Sequence, residues 1–85
     1  MPHYWIYILE SIRDSSHYVG STEKNVEDRL QRHNKGDYRY TKGYCPWKVI
    51  YSEPFKSRSE AIKRERFLKS GVGRQELKRI LAEIA

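Results

Sequence analysis

One glutamate stands where its helix should be apolar. Ser57-Arg58-Ser59-Glu60 has the form of a capping box, Ser then Glu three later, and opens a helix that runs to about Ser70 before Gly71 stops it. At about 100° per residue, with Ala61 as zero, Leu68 falls at about −20° and Ile62 at about 100°. Glu65 falls at about 40°, inside the apolar stripe, while Lys63, Arg64 and Arg66 point elsewhere. A carboxylate in that position must be paired, protonated or bound to a cation. It is either a rim glutamate salt-bridged to a basic neighbour, or a ligand for a hard divalent ion such as Mg²⁺, which commonly takes only one or two protein carboxylates and keeps its waters.

Other residues carry the same double reading. Arg29 and His33 lie four apart and share a helix face. They are either a solvated surface, or a guanidinium that neutralises phosphate charge beside an imidazole that relays a proton, since an unperturbed imidazole titrates near neutrality. Tyr7 and Tyr18 sit in strand-like runs and by default pack a core. A phenol on a strand at a cleft could instead hydrogen-bond a water nucleophile, provided its ordinary pKa near 10 is lowered for work as a base. Between Asp37 and Pro46, Tyr38, Tyr40 and Tyr44 alternate with Arg39 and Lys42. These either close a small core or stack bases and hold phosphates. Cys45 is given no catalytic role.

The elements that must position these groups follow from local pattern. Tyr4-Trp5-Ile6-Tyr7-Ile8-Leu9-Glu10 is a β-branched and aromatic run without clean alternation, which reads as a central strand covered on both faces. Residues 11–16 form a polar turn, and His17-Tyr18-Val19-Gly20-Ser21 reads as a second strand in an antiparallel hairpin. Asn25 and Gly36 bracket a helix over about 26–35, anchored by Val26 and Leu30. Trp47 to Ser52 is a third strand. After Gly73, the stripe Leu77, Ile80, Leu81 and Ile84 predicts a last helix packed on the sheet. The order β-β-α-β-α-α predicts an α+β fold, a small three-stranded antiparallel sheet flanked by helices.

Composition bounds the function. The chain has 85 residues, 38% hydrophobic and 33% charged, and is expected to form one domain over residues 1–85. Lys plus Arg is 17 against 11 for Asp plus Glu, a net +6, which favours polyanionic partners. Residues 24–48 carry a net +4 and residues 56–79 a net +6, so the excess lies on the helices and the long loop. No apolar run approaches the roughly 20 residues of a membrane span. The opening residues lack a secretory pattern, and the single Cys45 suits a reducing, cytoplasmic setting. The five glycines have neither Walker nor Rossmann spacing, so no nucleotide cofactor is expected. One Cys and three scattered His residues make no zinc finger. Oligomeric state is not readable.

Taken in order, five pieces resemble the GIY-YIG nucleases, in their small standalone bacterial branch. They are Trp5-Ile6-Tyr7; Tyr18-Val19-Gly20; the helix Glu27 to Asn34; the loop and strand Arg39 to Gly43 and Pro46 to Tyr51; and Ser59 to Glu65. Trp5 stands where the family name has its first glycine, and residues 66–85 hold no asparagine, where family members often carry one after the metal glutamate. The resemblance covers about residues 4–81. It implies an endonuclease acting on DNA phosphodiesters with Mg²⁺ or Mn²⁺. Tyr7 and Tyr18 would orient or deprotonate the attacking water, Arg29 would stabilise the phosphorane, His33 would assist proton transfer, and Glu65 would hold the ion. Arg32, Lys35, Arg39, Tyr40 and Lys42 are the candidate DNA contacts, with recognition of shape more than sequence. The alternative is a non-catalytic nucleic-acid-binding module on the same scaffold.

Overall fold

Tyr4–Ser11 is the most apolar stretch, and its backbone groups are satisfied on both sides. The computed structural model describes residues 3–23 and 25–84; Lys24, counted in the basic stretch above, lies outside them. Strand β1 (Tyr4–Ser11) lies between β2 (His17–Thr22) and β3 (Trp47–Phe55), antiparallel to both. Central placement is why Ile6, Tyr7, Ile8 and Leu9 are all buried in succession, as the unalternating pattern requires.

Successive side chains on β1 feed two cores, one on each face. Ile6 and Ile8 join Val19, Ala61, Leu68 and Ile80. Tyr7 and Leu9 join Trp47, with Tyr18, Val26, Leu30 and Val49 against them. Helix α1 (Val26–Asn34) covers the Tyr7 face, while α2 (Arg58–Lys69) lies over the other, with α3 (Arg74–Ile84) against it. Asn25 caps α1 by accepting from the Glu27 N–H at 2.7 Å, and Gly36 follows at φ +82°, where a side chain would be strained. Ser57 caps α2 by accepting from the Glu60 N–H at 3.2 Å, and its hydroxyl meets the Glu60 carboxylate at 3.0 Å.

Four details differ from the sequence expectation. Strand β3 runs three residues further, through Pro54; β3 is an edge strand, so the missing N–H costs no ladder bond. The register slips where Ile8 faces Tyr51 and Leu9 faces Val49, which makes Ile50 the extra residue of a bulge and sends Ile50 and Tyr51 to the same core. Ile84 is 41% exposed, so the stripe of α3 is buried only through Leu77, Ile80 and Leu81. The loop before β3 also contains a short 3₁₀ turn, Lys42–Tyr44, for which periodicity gives no sign.

Candidate active site

The site is built around the outer edge of β2, where a helix arrives from each face of the sheet. Tyr7 pairs in register with Gly20, and its phenol lies across that glycine. A Cβ at Gly20 would come within 2.6 Å of the Tyr7 ring carbon and hydroxyl and 3.0 Å of Tyr18. Gly20 is therefore a seat for the Tyr7 phenol. The Tyr7 hydroxyl meets His33 Nε2 at 3.0 Å, and His33 Nδ1 meets the Thr41 hydroxyl at 2.7 Å. Thr41 is held in turn by its carbonyl, which accepts from the Trp47 indole at 3.0 Å. Tyr7, His33 and Thr41 are all buried.

This burial changes the acid–base character expected from sequence. Desolvation, with the nearby Arg29 charge, pushes the His33 imidazole down to about 4, so it is neutral at pH 7 instead of titrating near neutrality. Desolvation and then Tyr18 push the Tyr7 phenol well above the usual range, against the opposing pull of Arg29. The Glu65 carboxylate acts in the same upward direction. The resting pair is a protonated phenol beside a neutral imidazole. With the imidazole proton on Nδ1 and directed at Thr41, Nε2 is an acceptor for the phenol proton.

Aromatic packing links the remaining residues. Tyr18 lies 5.1 Å from the His33 ring and 5.9 Å from the Tyr40 ring. Tyr38 lies 4.4 Å from His33 and accepts from the Arg29 guanidinium at 3.0 Å. On the α2 side, Glu65 is only one-fifth exposed. Its Oε1 accepts from the Ser21 hydroxyl at 2.5 Å and its Oε2 from Lys69 Nζ at 2.8 Å. The same ammonium stands 5.0 Å from the Tyr18 ring centre. A chain of contacts thus runs from Glu65 through Lys69, Tyr18 and His33 to Tyr7, and through Tyr38 to Arg29.

The five sequence-predicted core residues, Tyr7, Tyr18, Arg29, His33 and Glu65, therefore gather at one edge. Of the five candidate DNA contacts, Tyr40 adjoins Tyr18, and Arg32 lines a concavity with Arg29. Lys35, Arg39 and Lys42 are exposed, and the Lys42 side chain runs alongside Gly36. Asn34 is committed elsewhere: its amide brackets the Trp47 peptide at 2.6 and 3.1 Å. Sequence reasoning missed Ser21, Thr41 and Lys69 as members of the site, and read Tyr38 only as a loop aromatic that closes the core or stacks bases. Lys69 carried a signal, since it lies four after Glu65. The others are joined to the site only by tertiary packing.

The donor set fits a particular kind of ion. No group of three or more His, Cys, Asp or Glu residues is assembled among the described residues. One oriented carboxylate suits Mg²⁺ or Mn²⁺ completed by water and substrate oxygens, and does not suit a four-ligand zinc site. Lys69 holds one of the two carboxylate oxygens that such an ion would use.

Residues 3–78 match the GIY-YIG catalytic domain. The chain belongs to the GIY-YIG family. Its nuclease-type function follows from that membership. The chain is 41% identical over 81 residues to a UPF0213 protein of Staphylococcus haemolyticus, covering 94% of this chain and 96% of that one. It is 39% identical over 77 residues to a UPF0213 protein of Clostridium perfringens, covering 89% and 81%. A UPF0213 protein of Natronomonas pharaonis is 36% identical over 81 residues, covering 94% of this chain and 92% of that one. The solution NMR structure of a UPF0213 protein from Bacillus halodurans superposes with a TM-score of 0.52 at 31% identity, covering 91% of this chain and 83% of that one. The three-stranded antiparallel sheet with three helices is thus the GIY-YIG fold in this chain. No helix among the described residues is long and apolar enough to cross a membrane.

Proposed function

We propose that this chain is a divalent-metal-dependent endonuclease that hydrolyses DNA phosphodiester bonds, guided by DNA shape more than by sequence, in a cytoplasmic setting. The observation that carries the reading is the pairing of a proton-holding Tyr7 with a neutral, buried His33 at the edge where Glu65 and Arg29 also gather. Tyr18 and Tyr7 orient the attacking water. As the water loses a proton to the Tyr7 oxygen, the phenol proton passes to His33 Nε2, and Thr41 holds the imidazolium through Nδ1. Oxygen attacks phosphorus and the P–O bond to the leaving oxygen breaks. Arg29, placed by its bond to Tyr38, supplies positive charge to the phosphorane. Glu65 holds Mg²⁺ or Mn²⁺, with its carboxylate oriented by Ser21; when bound, the ion supplies charge to the phosphate and leaving oxygens. Arg32, Lys35, Arg39, Tyr40 and Lys42 hold the flanking DNA.

Glu65→Gln tests the reading. It keeps the shape of the side chain and the Ser21 contact while removing the charge. Metal-dependent nicking of plasmid DNA should fall to background, with the fold and most DNA binding retained. Equal nicking by the wild type and this variant, in clean preparations, would remove the ion-ligand role.

One observation favours the second reading, a DNA-binding module without catalysis: Glu65 is already satisfied by Ser21 and Lys69. Salt-dependent DNA binding by the wild type, with no cleavage in Mg²⁺ or Mn²⁺, would establish it.

A further inference from the structure

Helix α2 presents more than Glu65 to the edge of β2. At about 100° per residue, Arg58, Glu65 and Lys69 fall within about 40° of one another on the same face. At about 1.5 Å per residue, Arg58 lies about 10 Å before Glu65 and Lys69 about 6 Å after it. Lys69 has a partner in Glu65, whereas Arg58 forms no ion pair among the described residues. Arg58 instead borders a cavity of about 160 Å³, and Arg29 borders the same cavity from α1. Ser21 and Thr22 of β2 form its wall, Ile62 lines it too, and Glu23 contributes the single carboxylate. Arg29 has no carboxylate partner among the described residues either; its guanidinium meets the Tyr38 hydroxyl and stands 5.6 Å from that ring centre. Two arginines without an acidic partner among the described residues therefore border one concavity, against one acid. Two cationic side chains along one concavity suit a polyanionic strand, with one guanidinium for each of two neighbouring phosphates.

We infer that the Arg29–Arg58 cavity is a phosphate subsite, in which Arg58 binds the DNA phosphate next to the one being cut. The inference rests on the nuclease reading for the identity of the anion, a phosphodiester, and adds a residue that neither the motif nor the family match marks. Arg29 reaches toward the Tyr7–His33 pair and acts on the reacting phosphate. Arg58 is about two helical turns from Glu65, too far along the axis to share the ion's phosphate, so it fixes the position of the strand. Arg58 is a positioning residue on this account, and its loss acts on binding and not on the chemical step.

The test measures binding of a fluorescently labelled DNA duplex in EDTA between about 50 and 200 mM salt, for wild type, Arg58→Gln, Arg58→Lys and Lys63→Gln. Lys63→Gln removes one charge from the opposite face of α2. Arg58→Gln should weaken binding about fivefold to tenfold and make the log–log salt slope shallower by about 0.9, the value of one phosphate contact. Arg58→Lys should restore the slope, and Lys63→Gln should leave it near wild type. In Mn²⁺ at saturating DNA, the single-turnover rate of Arg58→Gln should stay within about threefold of wild type. An unchanged slope in Arg58→Gln, or an equal change in Lys63→Gln, would overturn the subsite while leaving a cleaving wild type as a nuclease. A shallower slope in Arg58→Gln with no cleavage by wild type would keep the subsite and discard the nuclease reading. Absence of wild-type binding to the duplex would discard both.

Discussion

The decisive residues act in pairs, and each pair has an internal tension. Tyr7 and Gly20 are one: the phenol occupies the space a side chain would need, so the glycine of Tyr18-Val19-Gly20 serves the tyrosine of Trp5-Ile6-Tyr7 across the ladder. Glu65 and Lys69 are another. An ammonium on the carboxylate satisfies its burial, yet it would compete for the same oxygen with the divalent ion proposed there. Lys69 is 44% exposed on a flexible stem, so it can be displaced at modest cost. Lys69→Met should therefore tighten Mn²⁺ binding to the DNA-free protein by about threefold to tenfold, read by titration calorimetry. Unchanged or weaker Mn²⁺ binding would mean that the ammonium does not contend for Glu65.

At the scale of elements, local signals were reliable where chain neighbours decide the structure. The caps at Asn25 and Ser57 and the apolar run of β1 were all legible, because each depends on residues within one turn or one strand. The bulge at Ile50, the end of β3 and the exposure of Ile84 were not, since each depends on what the opposite element presents. The Ser57 cap has consequences for the site, because α2 carries Arg58, Glu65 and Lys69. Ser57→Ala should cost about 1 kcal/mol of stability in urea melts, with faster amide exchange in the first turn of α2. A midpoint equal to wild type would show that tertiary contacts hold that turn without the cap.

Across the whole molecule, polar groups tie the layers together as well as serving the site. Arg64 bonds Glu53 of β3 at 2.9 Å and Glu76 of α3 at 2.9 Å, so one guanidinium joins three elements. His33 joins α1 to β1 and to the loop. Its depressed pKa has a consequence for stability against pH. The unfolded chain binds a proton at this residue below about 6.5, while the folded chain resists it until about 4. The unfolded state therefore holds more protons in that window, so stability is full above it and falls as pH falls through it, by on the order of 2–3 kcal/mol at pH 4.5. The carboxyls of Glu10, Asp14, Glu53 and Glu76 are held below their ordinary values, so their contribution is lost mainly at still lower pH. Urea midpoints between pH 7 and 4.5 should drop for wild type and stay nearly level for His33→Gln, which starts lower. Parallel declines in the two proteins would assign the loss to other groups.

The amino-acid sequence by itself determined the strand order and the helices, because periodicity and caps are written in local spacing; the resemblance to a family motif, and not spacing alone, singled out the five residues gathered at the β2 edge. It marked Glu65 as out of place without choosing between a salt bridge and an ion. Only the tertiary structure supplied the proton on Tyr7, the neutral state of His33, the Lys69 contact and the Arg58 cavity. Those depend on desolvation and on charges brought from distant parts of the chain, and the energy of a charge is set by everything that surrounds it in space.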